Sequence, residues 1–189
     1  MMRRGKCLVF IMFIIMLVPC LATATDHQPL PGERLSLTCA GCHGTAGAAP
    51  GNMIPIIGGQ LAGYTAKVLK GFAEDSRPGT VMLNLAKGYT VEEQQQIAEY
   101  FAAQPWVNTT NTYDIPRDDN LTRSCRGCHG KNGEGLGNFP RIGGQHPEYL
   151  LQALQEYQQG TRKDSMMLLV KGMDDVTLKA LADNFAAMK

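Results

Sequence analysis

The chain has 189 residues, 18 Lys+Arg against 17 Asp+Glu and a formal charge of +1, which allows one ordinary domain or two small ones. Nothing in that balance suggests a nucleic-acid surface, which would need a basic stripe.

The elements follow in chain order. "MMRRGK" is a positive n-region, "CLVFIMFIIMLVPCL" an apolar run of fifteen residues, and Ala22-Thr23-Ala24 a small-residue cleavage site. That order predicts a secretory signal peptide over 1–24, since the run is short for a spanning helix. The expected mature chain starts at Thr25 and is periplasmic, meeting a membrane only if the segment is retained. Loss of Arg3, Arg4 and Lys6 leaves 15 basic against 17 acidic residues, a net charge of −2. Cys7 and Cys20 leave too, so the four remaining cysteines all lie in "CAGCHG" (39–44) and "CRGCHG" (125–130).

A short helix around Gly32–Cys39 can deliver the first motif, and the Gly-rich loop "GTAGAAPGN" follows it. Residues 62–73 place Tyr64, Val68, Leu69 and Phe72 at helical spacing. Thr90 and Glu93 form a capping box that opens a helix burying Ile97, Tyr100 and Phe101. "PWVNTTNTYDIPRDDN" at 105–120 reads as a linker. The pattern then starts again: "FPRIGGQHPEYLLQALQEY" at 139–157 repeats "IPIIGGQLAGYTAKVLKGF" at 54–72, and 166–189 repeats 82–104. This is a duplicated domain rather than a short-repeat array. The predicted organisation is a first domain over 25–106, a linker over 107–120 and a second domain over 121–189, all-α with no convincing strand. In the second copy the last helix should start near Asp175, with Leu178, Leu181, Ala182 and Phe185 on one stripe. About 80 residues per copy, with two Gly-rich loops that bury almost nothing, make a thin core. Such a domain needs a large apolar object at its centre.

C-x-x-C-H is the attachment signature of c-type haem. Two cysteines three positions apart lie on one side of a helical turn, so both sulfurs reach one porphyrin edge while the next histidine projects over the ring. Cys39, Cys42 and His43 would hold one covalent haem c, and Cys125, Cys128 and His129 a second. A zinc ribbon fits poorly, because 82 residues separate the pairs where about 15–20 are usual. A thioredoxin-like pair needs a βαβ setting that is not visible. For the sixth ligand, Met82 and Met166 recur in both copies, each six residues before a glycine and 39 and 37 residues after its histidine. Met167 competes with Met166, and the sequence leaves that choice open. Met53 has no counterpart and reads as packing. His27 and His146 are the other histidines; His146 reads as a surface residue before Pro147, a first helical position. Pro55 and Pro140, 12 and 11 residues after the haem histidines, could aim a carbonyl at the imidazole N–H and fix the ring.

On these residues the chain resembles periplasmic dihaem c-type cytochromes built from two class I cytochrome c domains. It is similar both to cytochrome c4 and to the dihaem subunit of flavocytochrome c sulfide dehydrogenase. "CAGCHGTAG", "VMLNLAKGYT" with "QIAEYFAAQ", and "CRGCHGKNGEG" with "FPRIGGQHPEYL" carry the likeness. The methionine before "AKGY" is an axial ligand in that family, which implies the role for Met82. The resemblance implies haems facing each other across a pseudo-twofold interface. It implies single-electron transfer from a periplasmic dehydrogenase, flavoprotein sulfide dehydrogenase among the donors, to a cytochrome, oxidase or photosynthetic acceptor. A dihaem peroxidase is the rival reading; it would need one iron able to open, against which the paired methionines argue.

Overall fold

The computed structural model describes residues 29–107 and 118–188; the signal segment, His27 and most of the linker lie outside them. Among the described residues the first half forms α1 (Glu33–His43), α2 (Ala62–Ala73), α3 (Val81–Ala86) and α4 (Val91–Ala102). The second half forms α5 (Asp119–His129), α6 (Pro147–Gln158), α7 (Met166–Val170) and α8 (Asp175–Ala186). The bridge between Leu136 and Phe139 is isolated, so the fold is all-α. α1 runs further than the sequence suggests and carries both cysteines and the histidine of the first motif. α5 starts at Asp119, inside the segment read as linker, because the Asp118 carboxylate accepts from the Asn120 and Leu121 amides and caps it.

The halves repeat one packing scheme. α2 and α1 lie on α4, and α6 and α5 lie on α8. Thr90 and Glu93 bond each other's backbone as a complete capping box, an arrangement whose loss costs about 0.5–2 kcal/mol. The face it orients buries Ile97 and Phe101 against Leu69 and Ala86, with Tyr100 half-buried at the edge. Leu150, Leu181, Ala182 and Phe185 form the matching cluster in the second half. Phe101 is fully buried, and truncating such a ring to alanine costs roughly 3–5 kcal/mol.

Between α1 and α2 the chain doubles back on itself. The Ile57 and Gly58 amides both donate to the Gly47 carbonyl, and those of Ile142 and Gly143 to the Gly133 carbonyl. A Cβ on Gly58 would overlap the Ala46 carbonyl oxygen, and one on Gly143 that of Asn132, so both crossings require glycine. The Gly59 and Gly144 amides then tie the turn to Phe101 and Phe185 carbonyls at the ends of α4 and α8. The Gly-rich loops are less superficial than their composition suggests, for Ala49 is completely buried.

Loop residues make the hydrogen bonds that join the halves. The Gln145 side chain accepts from the Ile56 amide and donates to the Ile56 carbonyl, both at 2.9 Å. Gln60 does the same to Arg141, again at 2.9 Å in each direction. The Arg141 guanidinium also lies 4.5 Å from the Trp106 ring centroid, a cation–π contact across the interface. His146 is not a surface residue: it is 1% exposed, and its Nε2–H donates to the Ala49 carbonyl at 3.0 Å. Pro147 does occupy the first turn of α6, but the residue before it points into the other half.

Burial holds His146 below the ordinary imidazole range, opposed in part by its bond to Ala49 and by the Glu148 charge. A histidine whose folded pKa is depressed stabilises the fold fully above its unfolded value of about 6.5, and less as pH falls below it. The melting temperature should therefore drop as pH is lowered from 7.5 to 5.5, by at most about 1.4 kcal/mol of stability per pH unit from this group. His146→Gln should flatten that slope; an unchanged slope in the variant would remove His146 as its source.

Candidate haem-binding site

Because α1 continues to His43, Cys39 and Cys42 sit one turn apart and face the same way; α5 repeats this with Cys125 and Cys128. The first cysteine of each pair is half-buried and the second exposed, and none of the four is in a disulfide. Burial, with the neighbouring Cys42, pushes the Cys39 thiol up. Among the described residues no three His, Cys, Asp or Glu side chains converge on a point that could hold a metal ion.

Each motif histidine meets a proline carbonyl. His43 Nδ1–H donates to the Pro55 oxygen at 2.9 Å, and His129 Nδ1–H to the Pro140 oxygen at 2.8 Å. Both rings are buried, and burial keeps both below the ordinary imidazole range against the opposing effect of the carbonyl bond. A neutral ring with its proton fixed on Nδ1 presents the Nε2 lone pair, which is the state a metal-ligating imidazole requires.

A cavity of about 1230 Å³ runs between the two halves. It is lined by Cys39, Cys42, His43 and Met82 from the first half and by Cys125, Cys128, His129 and Met166 from the second. All eight residues expected from sequence therefore border one space. α3 and α7, too short to stand out as periodic segments, carry Met82 as the second residue of α3 and Met166 as the first residue of α7. Met167 is not in the lining; it packs with Tyr157, Val170 and Leu178. Met53 also borders the cavity and is 56% exposed.

The space fits two haems by size and by chemistry. Pockets for one small ligand or cofactor measure roughly 300–1,000 Å³, and this one exceeds that range. Its wall is largely apolar, with Ile57, Leu69, Phe72, Leu154 and Phe185 among its members. Arg77 and Arg141 also line it, and the Nε atoms of both are buried without a hydrogen-bond partner. Cationic groups of that kind suit a macrocycle that carries two carboxylates. The Tyr64 hydroxyl lies beside Arg77 and close to Tyr149 and Arg162, and burial pushes it up. Helical spacing reads Tyr64, and Tyr149 at the matching place in the repeat, as packing residues. Their pairing across the interface is a tertiary feature, signalled only by the recurrence of Tyr and Arg in both copies.

No family model matches the chain. It is 31% identical over 191 aligned positions to the thiosulfate dehydrogenase electron acceptor of Stutzerimonas stutzeri (strain A1501), covering 87% of each chain. To the cytochrome subunit of sulfide dehydrogenase of Chlorobaculum tepidum it is 53% identical over 70 residues, which cover 37% of this chain and 63% of that one. Among solved structures, the cytochrome c4 of Acidithiobacillus ferrooxidans superposes with a TM-score of 0.72 at 25% identity, over 79% of this chain and 98% of that one. Two class I cytochrome c domains, a cavity bordered by two C-x-x-C-H motifs and these relatives agree, and the chain belongs to the cytochrome c4-type family of dihaem c-type cytochromes, electron carriers with two covalently bound haems.

Proposed function

We propose that Cys39 and Cys42 hold one haem and Cys125 and Cys128 the other, with His43 and Met82, and His129 and Met166, as the axial pairs. The observation that carries this reading is the common cavity, bordered by all eight side chains while both histidines are turned by proline carbonyls to offer Nε2. Each haem supplies a one-electron Fe(III)/Fe(II) couple. The protein's part is to hold the ligands still and keep water out. α1 and α5 fix the thioether side, and the Pro55 and Pro140 carbonyls fix the proximal ring planes. α3 and α7 would each offer a methionine thioether, Met82 or Met166, as the second iron ligand, and such ligation raises the potential of a haem couple. Met166 is preferred to Met167 because it borders the cavity and matches Met82 in the repeat, whereas Met167, which shares the same packing cluster, does not reach the lining.

The donor in this reading is a dehydrogenase that oxidises an inorganic sulfur compound. The relatives named as a thiosulfate dehydrogenase electron acceptor and as a sulfide dehydrogenase cytochrome subunit support it. The acceptor is another cytochrome, an oxidase or a photosynthetic centre. The n-region, apolar run and Ala22-Thr23-Ala24 site over 1–24 support export to the periplasm.

Met82→Ala should lower the potential of one haem by at least about 59 mV, tenfold in its reduction equilibrium, and leave the other nearly unchanged. Met166→Ala should do the same to the other haem, and Met167→Leu should move neither. Potentiometric titration of the three variants checks the assignment. A large shift in Met167→Leu with none in Met166→Ala would transfer the second ligand to Met167.

A further inference from the structure

Gln60 and Gln145 occupy the same place in the two copies, as the last residue of "IGGQ" at 57–60 and 142–145. Each is almost wholly buried, at 6% and 3% exposure. Burying a primary amide is costly unless its donors and acceptor are used, and here they are used on the opposite half. Gln145 Oε1 accepts from the Ile56 amide, and Gln60 Oε1 accepts from the Arg141 amide. Those two amides are not arbitrary. Ile56 N–H and the Pro55 carbonyl belong to one peptide unit, and that carbonyl accepts from His43. Arg141 N–H and the Pro140 carbonyl belong to another, and that carbonyl accepts from His129.

We propose that Gln145 and Gln60 are crossed positioning residues. Each half uses its glutamine to polarise and orient the peptide that holds the other half's haem histidine. The inference rests on the reading of His43 and His129 as iron ligands. A peptide is a conjugated unit, so accepting from its N–H makes its oxygen a stronger acceptor. Linked hydrogen bonds strengthen one another by about 10–30% per bond in condensed phase. Firmer acceptance from Nδ1–H raises the basicity of the imidazole, and a more basic axial ligand favours Fe(III). The couple being tuned is Fe(III)/Fe(II), one electron with no bond made or broken. Gln145 thus lowers the potential of the haem at His43, and Gln60 that of the haem at His129. The second pair of bonds, from Nε2 to the Ile56 and Arg141 carbonyls, fixes the tilt of the next peptide and so the aim of the first. The Oε1 atoms also accept from the Leu61 and His146 amides, which lock the glutamine rotamers.

The test uses the full haem-loaded protein and a redox titration followed by NMR, with haem methyl signals assigned to each half. Gln145→Met keeps the side-chain volume and removes the hydrogen bonds. It should raise the Fe(II)/Fe(III) ratio of the haem at Cys39/Cys42 about threefold at fixed potential, or about 28 mV at 59 mV per tenfold, and move the other haem much less. Gln60→Met should give the mirror result on the haem at Cys125/Cys128. A shift on the haem of the same half, equal shifts on both haems, or no shift would overturn the proposal. Loss of the histidine ligand reading would show instead in the unmodified protein, as absence of a low-spin spectrum. Should a variant fail to assemble, amide exchange in the unmodified protein decides: Ile56 and Arg141 N–H should both be strongly protected, and exchange at the rate of free amides would overturn the inference.

Discussion

Two peptide bonds, Pro55–Ile56 and Pro140–Arg141, are engaged from both sides, and the arrangement of the molecule depends on them. On one side the carbonyl accepts from a buried histidine of its own half; on the other the amide donates to a glutamine of the opposite half. A neutral buried hydrogen bond contributes only about 0.5–1.5 kcal/mol net, and leaving a buried partner unsatisfied costs about 1–3 kcal/mol. Such contacts add little to stability but strongly penalise any other docking of the halves. The interface is therefore specified more than it is stabilised, and its specification runs through the residues that, in the proposed assignment, aim the haem ligands.

The duplication explains why so little helix surface is needed between the halves. Each copy packs two helices onto its last one and leaves a large apolar concavity, which merges with its twin into one space. A small domain with short helices and Gly-rich loops cannot close such a space with its own side chains. The covalent haems that characterise the family supply the missing apolar volume. Where the copies differ, the interface differs too: His146 reaches the Ala49 carbonyl, a bond that Leu61, at the matching position, has no means of making. Arg126 replaces Ala40 beside the second haem site, yet its guanidinium pairs with the exposed Asp119 carboxylate at 3.0 Å. Solvent and that partner blunt its effect on the neighbouring site.

Much of this was legible in the sequence where the signal is local. The span of α2 and the capping box of α4 follow from helical period and side-chain chemistry, and both agree with the structure residue for residue. The Pro55 and Pro140 carbonyls follow from nearly matching spacing, 12 and 11 residues after the two histidines, and both contacts are present. Tertiary burial was not legible. His146 looked superficial because a histidine before a helix-opening proline is usually solvated, and only the opposite half buries it. Ala49 looked like plain loop, and Asp119 like linker, for the same reason. The paired glutamines lay in plain view as part of a repeat; a polar residue identical in both copies was the signal, but its partner lies 81 or 89 residues away. Helices of six and five residues such as α3 and α7 give too few turns for periodicity to register.

The central claim is that both irons are closed by a histidine and a methionine, so that the protein carries electrons and does not bind substrate at iron. The most direct measurement is the near-infrared and visible spectrum of the oxidised native protein, referred to its covalent haem content. The account predicts methionine-to-iron charge-transfer absorption equivalent to two haems per chain and no high-spin band. A high-spin haem, accompanied by turnover of peroxide, would contradict it.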